Sequence, residues 1–142
     1  MKPLYLIAFF LFAFATSSHA QSPAQTDDFD KTFTKAEVMP DYPGGDKAWI
    51  AYLNKNLHYP MDAISNEISG TVWVQFIVKS DSTITDVQAF SGPTGGGLRE
   101  EAIRVIKESG KWVPGSQNGH VVKCYTRRPI KFVLQKGEIK GS

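Results

Sequence analysis

Cysteine and histidine are scarce in this chain, and neither sign of charge prevails: one Cys, three His, 16 Lys+Arg and 14 Asp+Glu in 142 residues. The lone Cys124 excludes an internal disulfide whatever the redox compartment. It leaves a buried thiol or a route to a covalent dimer, and its alternation with Val122 and Ile130 favours burial. His58 and His120 stand far apart without a cysteine or carboxylate at ligand spacing, so no metal site is expected. Gly92-Pro93-Thr94-Gly95-Gly96-Gly97 lacks the Lys-Ser/Thr pair of a phosphate loop, and a turn into a helix accounts for it. Ser109, Ser116 and His120 have no acid or oxyanion-stabilising group placed beside them. Asp41, Asp46, Glu100 and Glu101 read as helix-start acids, which complement the helix dipole without catalytic work. No enzyme, no cofactor and no small-molecule substrate is expected.

A nucleic-acid binder would gather a basic excess into a patch, and the only dense pair here is Arg127-Arg128. No basic amphipathic stretch suits a membrane surface either. The one long apolar run, Leu4 to Ala15, is well short of the ~20 residues that cross a bilayer as a helix. It follows the positive Lys2 and precedes Ser18-His19-Ala20, small residues at the two positions a signal peptidase reads. Residues 1–20 are therefore expected to be a cleaved export signal, with a retained inner-membrane anchor facing the periplasm as the alternative. No cysteine lies near the cleavage point, which excludes a lipid tether there.

Residues 21–38 are polar, with only Phe29, Phe33 and Val38 as larger apolar groups, and 21–39 is expected to be a disordered leader. One domain is expected over 40–135, followed by a tail, 136–142. Within it, Gly44-Gly45-Asp46 reads as a helix start, a flexible turn followed by a side-chain acceptor for the free amide groups of the first turn. Ala48, Trp49, Tyr52, Leu53 and Leu57 then share one helical face, and Tyr59-Pro60 closes the helix. Met61 to Ile68 allows a short helical piece. Thr71 to Val78 alternates as a strand, with Val72, Val74, Phe76 and Val78 on one face. Trp73, on the other face, reads as core, with a partner contact as the alternative. Ser80-Asp81-Ser82 turns the chain into a return strand, Thr83 to Phe90, whose broken alternation predicts a bulge near Thr85-Asp86. Leu98, Ala102, Val105 and Ile106 hold helical spacing up to Gly110. Val121 to Leu134 reads as one long last strand. Pro129 inside it lacks a backbone donor, which places that strand at a sheet edge.

Pro40-x-Tyr42-Pro43-Gly44-Gly45, Trp112-x-Pro114-Gly115 with Gly119 four residues on, and Pro129-Ile130-x-Phe132 stand in fixed order. From Met39 to Leu134 the chain resembles the C-terminal domain of the TonB energy-transducer family. The resemblance implies an α+β two-layer sandwich, two helices on one face of a three-stranded antiparallel sheet. It also implies periplasmic docking onto an outer-membrane TonB-dependent transporter, whose extended peptide adds beside the last strand, here Val121 to Val133.

An exposed strand edge suits that task, since its unpaired N–H and C=O groups can pair with an added peptide. The residues expected to meet the partner are Lys123, Tyr125, Arg127, Arg128 and Lys131, with Arg128 near the sheet rim. Basic groups there also serve as edge protection against aggregation, and a homodimer through the last strand would use the same groups. A transducer needs an anchor and a long spacer. Only residues 21–39 separate the export signal from the domain, and some twenty extended residues reach at most ~70 Å. A freestanding periplasmic domain is expected.

Overall fold

In the computed structural model, which describes residues 31–135, the sheet is built around Gly70–Val78 (β1). Val72, Val74, Phe76 and Val78 are fully buried on one face, as their alternation requires. Ile84–Ser91 (β2) pairs antiparallel on one side of β1 and Cys124–Phe132 (β5) antiparallel on the other, giving the order β2-β1-β5. The expected bulge is present. Gln75 pairs with Gln88 and Ile77 with Thr85, so β2 holds one residue too many, and Asp86 takes φ 54° there. A second irregularity lies opposite Trp73 and Val74.

Three helices cover the buried face: Gly45–Asn56 (α1), Met61–Ser65 (α2) and Leu98–Lys107 (α3). Trp49, Ala63, Leu98, Ala102, Val105 and Ile106 enter the core from them, beside Ile130 and Phe132 of β5. This is the α+β architecture expected, with the short Met61 helix as a third element. Trp112 closes the core from the loop after α3. Its ring centroid lies 4.9 Å from Phe76, 5.2 Å from Trp49 and 5.3 Å from Tyr42. Its indole N–H donates to Ser109 Oγ at 2.8 Å, so the polar end of the ring is satisfied where no water reaches.

Four expectations need correction. The last strand is not continuous: Gly115–Gln117 (β3) and His120–Val122 (β4) form a separate hairpin before β5 begins at Cys124. Asn118-Gly119, both at positive φ, make its two-residue turn, an arrangement that only residues tolerant of the left-handed region supply. Trp73 is no core residue; it stands 39% exposed on the face of β1 opposite the helices, although Ile77 farther along that face is buried. Asp46 does not cap α1, since Gly44 precedes the helix with no side-chain cap bond. The second half of the leader is ordered. Val38 exchanges backbone hydrogen bonds with Ser116 at 3.1 and 2.9 Å, Asp41 does so with Val113 at 3.1 and 2.8 Å, and Ala36 is buried. Gly115 permits that approach, because a Cβ there would stand 2.8 Å from the Val38 carbonyl oxygen. The export signal expected over 1–20, the first part of the leader and the tail 136–142 lie outside the described residues. Among the described residues no helix is long and apolar enough to cross a membrane.

Candidate functional site

β5 pairs with β1 along one side only, so its other side is an edge of the three-stranded sheet. Backbone groups alternate along a strand, and Tyr125 points its N–H outward, to Phe33. Arg127, Pro129 and Lys131 therefore present outward too. Pro129 occupies one of these outward positions, where its missing N–H deprives the sheet of nothing.

The edge is divided. Phe33 forms a parallel bridge at Cys124: its N–H donates to Lys123 O at 2.8 Å and its C=O accepts from Tyr125 N–H at 2.9 Å. The leader thus holds the beginning of the margin. It then leaves toward β3, and the remainder, Arg127 to Lys131, has no strand of the described residues beside it. A hollow lined by Thr34, Met39, Tyr125 and Arg127 marks the point of divergence.

Beyond that point the edge faces α1 across a groove of about 660 Å³, lined by Asp46, Trp49, Ile50, Leu53 and Asn54 on the helix, by Leu57 just past its end, and by Arg128, Pro129 and Lys131 on the strand. Ile50 is 56% exposed, an apolar side chain left at the groove while Trp49 turns inward. The helical stripe is therefore wider than core packing needs. Pairing a peptide with the edge would lay alternate side chains over this apolar floor.

The five residues expected to meet a partner divide between two surfaces. Arg127 is exposed on the uncovered face, its Nε 3.0 Å from Gln75 Oε1 and its guanidinium 4.8 Å from the Phe90 ring. Tyr125 and Lys123 are half-buried at the segment held by Phe33. Lys131 is exposed at the groove. Neither Arg127 nor Lys131 has an ion-pair partner among the described residues. Arg128 projects to the helix side. It donates to Asp41 Oδ1 at 2.7 Å and Asp46 Oδ1 at 3.2 Å, and its guanidinium lies 5.4 Å from the Trp112 ring. It lines the groove while tying β5 to the leader's end and to the first turn of α1.

Sequence reasoning missed Phe33, the groove floor and the carboxylates of Arg128. Ile50 was the available signal, an isoleucine beside the stripe of Trp49 and Leu53 on an otherwise polar flank. No signal marked Phe33, because its bond runs through backbone atoms that every residue possesses.

A family model described as Gram-negative bacterial TonB protein C-terminal matches residues 55–134. The fold is similar to a solution structure of the Helicobacter pylori TonB C-terminal domain (residues 179–285), with 26% identity and a TM-score of 0.50, over 64% of this chain and 80% of that one. A shorter form of the same domain (residues 194–285) aligns with 21% identity and a TM-score of 0.47, over 64% of this chain and 95% of that one. No curated protein matches.

Proposed function

The chain belongs to the TonB C-terminal domain family, and from that premise we propose that it binds an extended segment of an outer-membrane transporter by strand addition along β5. Domains of this family are periplasmic, non-enzymatic binding domains of energy transducers that interact with outer-membrane transporters. Export through the segment 1–20 into the periplasm belongs to the same reading.

One observation carries it: Arg127 to Lys131 is an edge segment with no strand of the described residues beside it, set above an apolar groove. Main-chain pairing supplies affinity that is indifferent to sequence, and the groove with its basic rim supplies selection. Arg127 and Lys131 favour an acidic side chain at the peptide's margin. Tyr125 and Lys123 would join the interface only where the partner reaches past Phe33, and Arg128 would act from beneath, by holding the strand against α1.

The test is a titration of the ¹⁵N-labelled chain with a synthetic acidic strand peptide, Asp-Thr-Val-Thr-Val-Asp, followed by amide shifts. Changes concentrated over Arg127–Lys131 and the groove face of α1 are expected. Changes confined to β2 or to the β3–β4 hairpin would remove the edge from the account. Pairing of β5 with a second copy would instead show as dimerisation across a concentration series in size-exclusion chromatography.

A further inference from the structure

Phe33 satisfies the margin of β5 as an added strand would, with one bond given and one received around Cys124. The contact belongs to a built attachment. Three residues on, Ala36 is buried, Val38 is bonded in both directions to Ser116, and Asp41 is held by Val113 and by the Arg128 guanidinium. Phe33 is the last described pairing of this leader toward its N-terminal side, so it is the one that opens first, while the anchors behind keep it close.

On the reading of β5 as a peptide-binding edge, we propose that the leader is a resident competitor for the partner strand. Phe33 holds the Tyr125 end, and an incoming peptide pairs first at Arg127–Lys131. It extends over Tyr125 only by displacing Phe33. The open edge is then short by design, and full engagement requires release of one backbone clip. A peptide long enough to cover Tyr125 binds with its affinity reduced by the fraction of molecules in which the clip is closed. The leader therefore sets the length and register of what the edge accepts.

The competing groups are backbone atoms, so the discriminating substitution is Phe33→Pro, which removes the donor to Lys123 O. Thr34→Pro is the control, because Phe33 keeps both of its bonding groups. Two readouts apply to the mature full chain. Without peptide, the Tyr125 amide exchanges about five-fold more slowly in wild type and in the control than in Phe33→Pro. With the eight-residue Asp-Thr-Val-Thr-Val-Thr-Val-Asp, long enough to pair from Lys131 through Tyr125, Phe33→Pro binds about five-fold tighter than wild type, the order expected from a backbone clip that mostly trades against water. Its shift changes extend to Tyr125, whereas those of wild type stop near Arg127. Equal affinities with equal reach of the shift changes overturn the competition while leaving strand addition intact. Absence of binding in all three proteins, at concentrations that saturate a weak complex, overturns strand addition and the competition with it.

Discussion

Arg128 Nη2 lies 2.7 Å from Asp41 Oδ1, a bond that joins the edge strand to the segment leading into α1. Asp46 adds a second carboxylate at 3.2 Å, and Trp112 offers its ring face at 5.4 Å. The Arg128 side chain is only 18% exposed, and its buried Nε has no hydrogen-bond partner among the described residues. The guanidinium is thus held by its two terminal nitrogens and its face. Replacing it with methionine keeps most of the packing and deletes the fork. Arg128→Met is expected to lower stability by about 1–2 kcal/mol in urea denaturation, because the partner carboxylates remain partly solvated. Arg128→Lys should recover little, since a single ammonium cannot address two carboxylates from a planar fork.

Ser109 accepts the only hydrogen bond of the buried Trp112 indole and donates to Ile106 O. Ser109→Ala leaves that N–H unpaired where water does not reach. A loss of about 1–3 kcal/mol is expected, measured by the same denaturation, despite a change of one oxygen atom. A loss under a few tenths would mean that the ring shifts to another acceptor.

Glu101 holds the junction of α1 and α2. Its carboxylate accepts from the His58 N–H at 2.8 Å and from Arg104, which also donates to Asn56 O at 2.8 Å. Burial alone would raise the Glu101 pKa, but the bonds from Arg104 and His58 outweigh it and hold it below the ordinary range. A depressed folded-state pKa gives stability that is complete above the unfolded value, about 4.3, and is lost as pH falls through the folded one. Wild type should therefore lose stability between about pH 5 and pH 3, and Glu101→Gln should lose less over that window while being weaker at pH 7. Parallel pH profiles would show that Glu101 contributes nothing to the acid limb.

Cys124 is fully buried at the start of β5, and burial pushes its thiol pKa up. Both effects slow thiolate chemistry. A chromogenic disulfide reagent at neutral pH should react only at the rate of local opening, and at once in denaturant. Immediate reaction of the native chain would contradict the burial, and only then would a covalent dimer through Cys124 be open to it.

Much of this fold was legible because apolar periodicity reports burial directly. Val72 to Val78 and Leu98 to Ile106 fall on the core face as their spacing requires, and the broken alternation at Thr85-Asp86 marks a real bulge. Pro129 located the edge correctly, because a missing donor is a constraint that a sequence displays. The misreadings have a common origin in what alternation does not report. Val121 and Val122 look continuous with Cys124, yet Asn118-Gly119 turns them back onto β3, a hairpin signal overlooked beside the longer apolar pattern. Hydrophobicity alone suggests a core role for Trp73, but the described helices pack on the opposite face of β1. The leader looked too polar to fold. It is ordered largely by backbone bonds to Ser116, Val113 and β5, which cost little hydrophobicity and leave no compositional trace. Arg128 was expected at the rim, and its partners, 87 and 82 residues away, follow only from the assembled fold.

The central claim is that Arg127 to Lys131 gives its main chain to a partner strand, and Arg127→Pro tests it most directly. Pro129, two residues along, shows that this margin accepts proline without loss to the sheet. The substitution deletes one outward N–H, and Arg127→Ala controls for the lost side chain. Binding of Asp-Thr-Val-Thr-Val-Asp, measured by amide shift titration on folded protein, should weaken about ten-fold or more in Arg127→Pro and distinctly less in Arg127→Ala. Equal affinity of the two variants would contradict main-chain pairing at this edge.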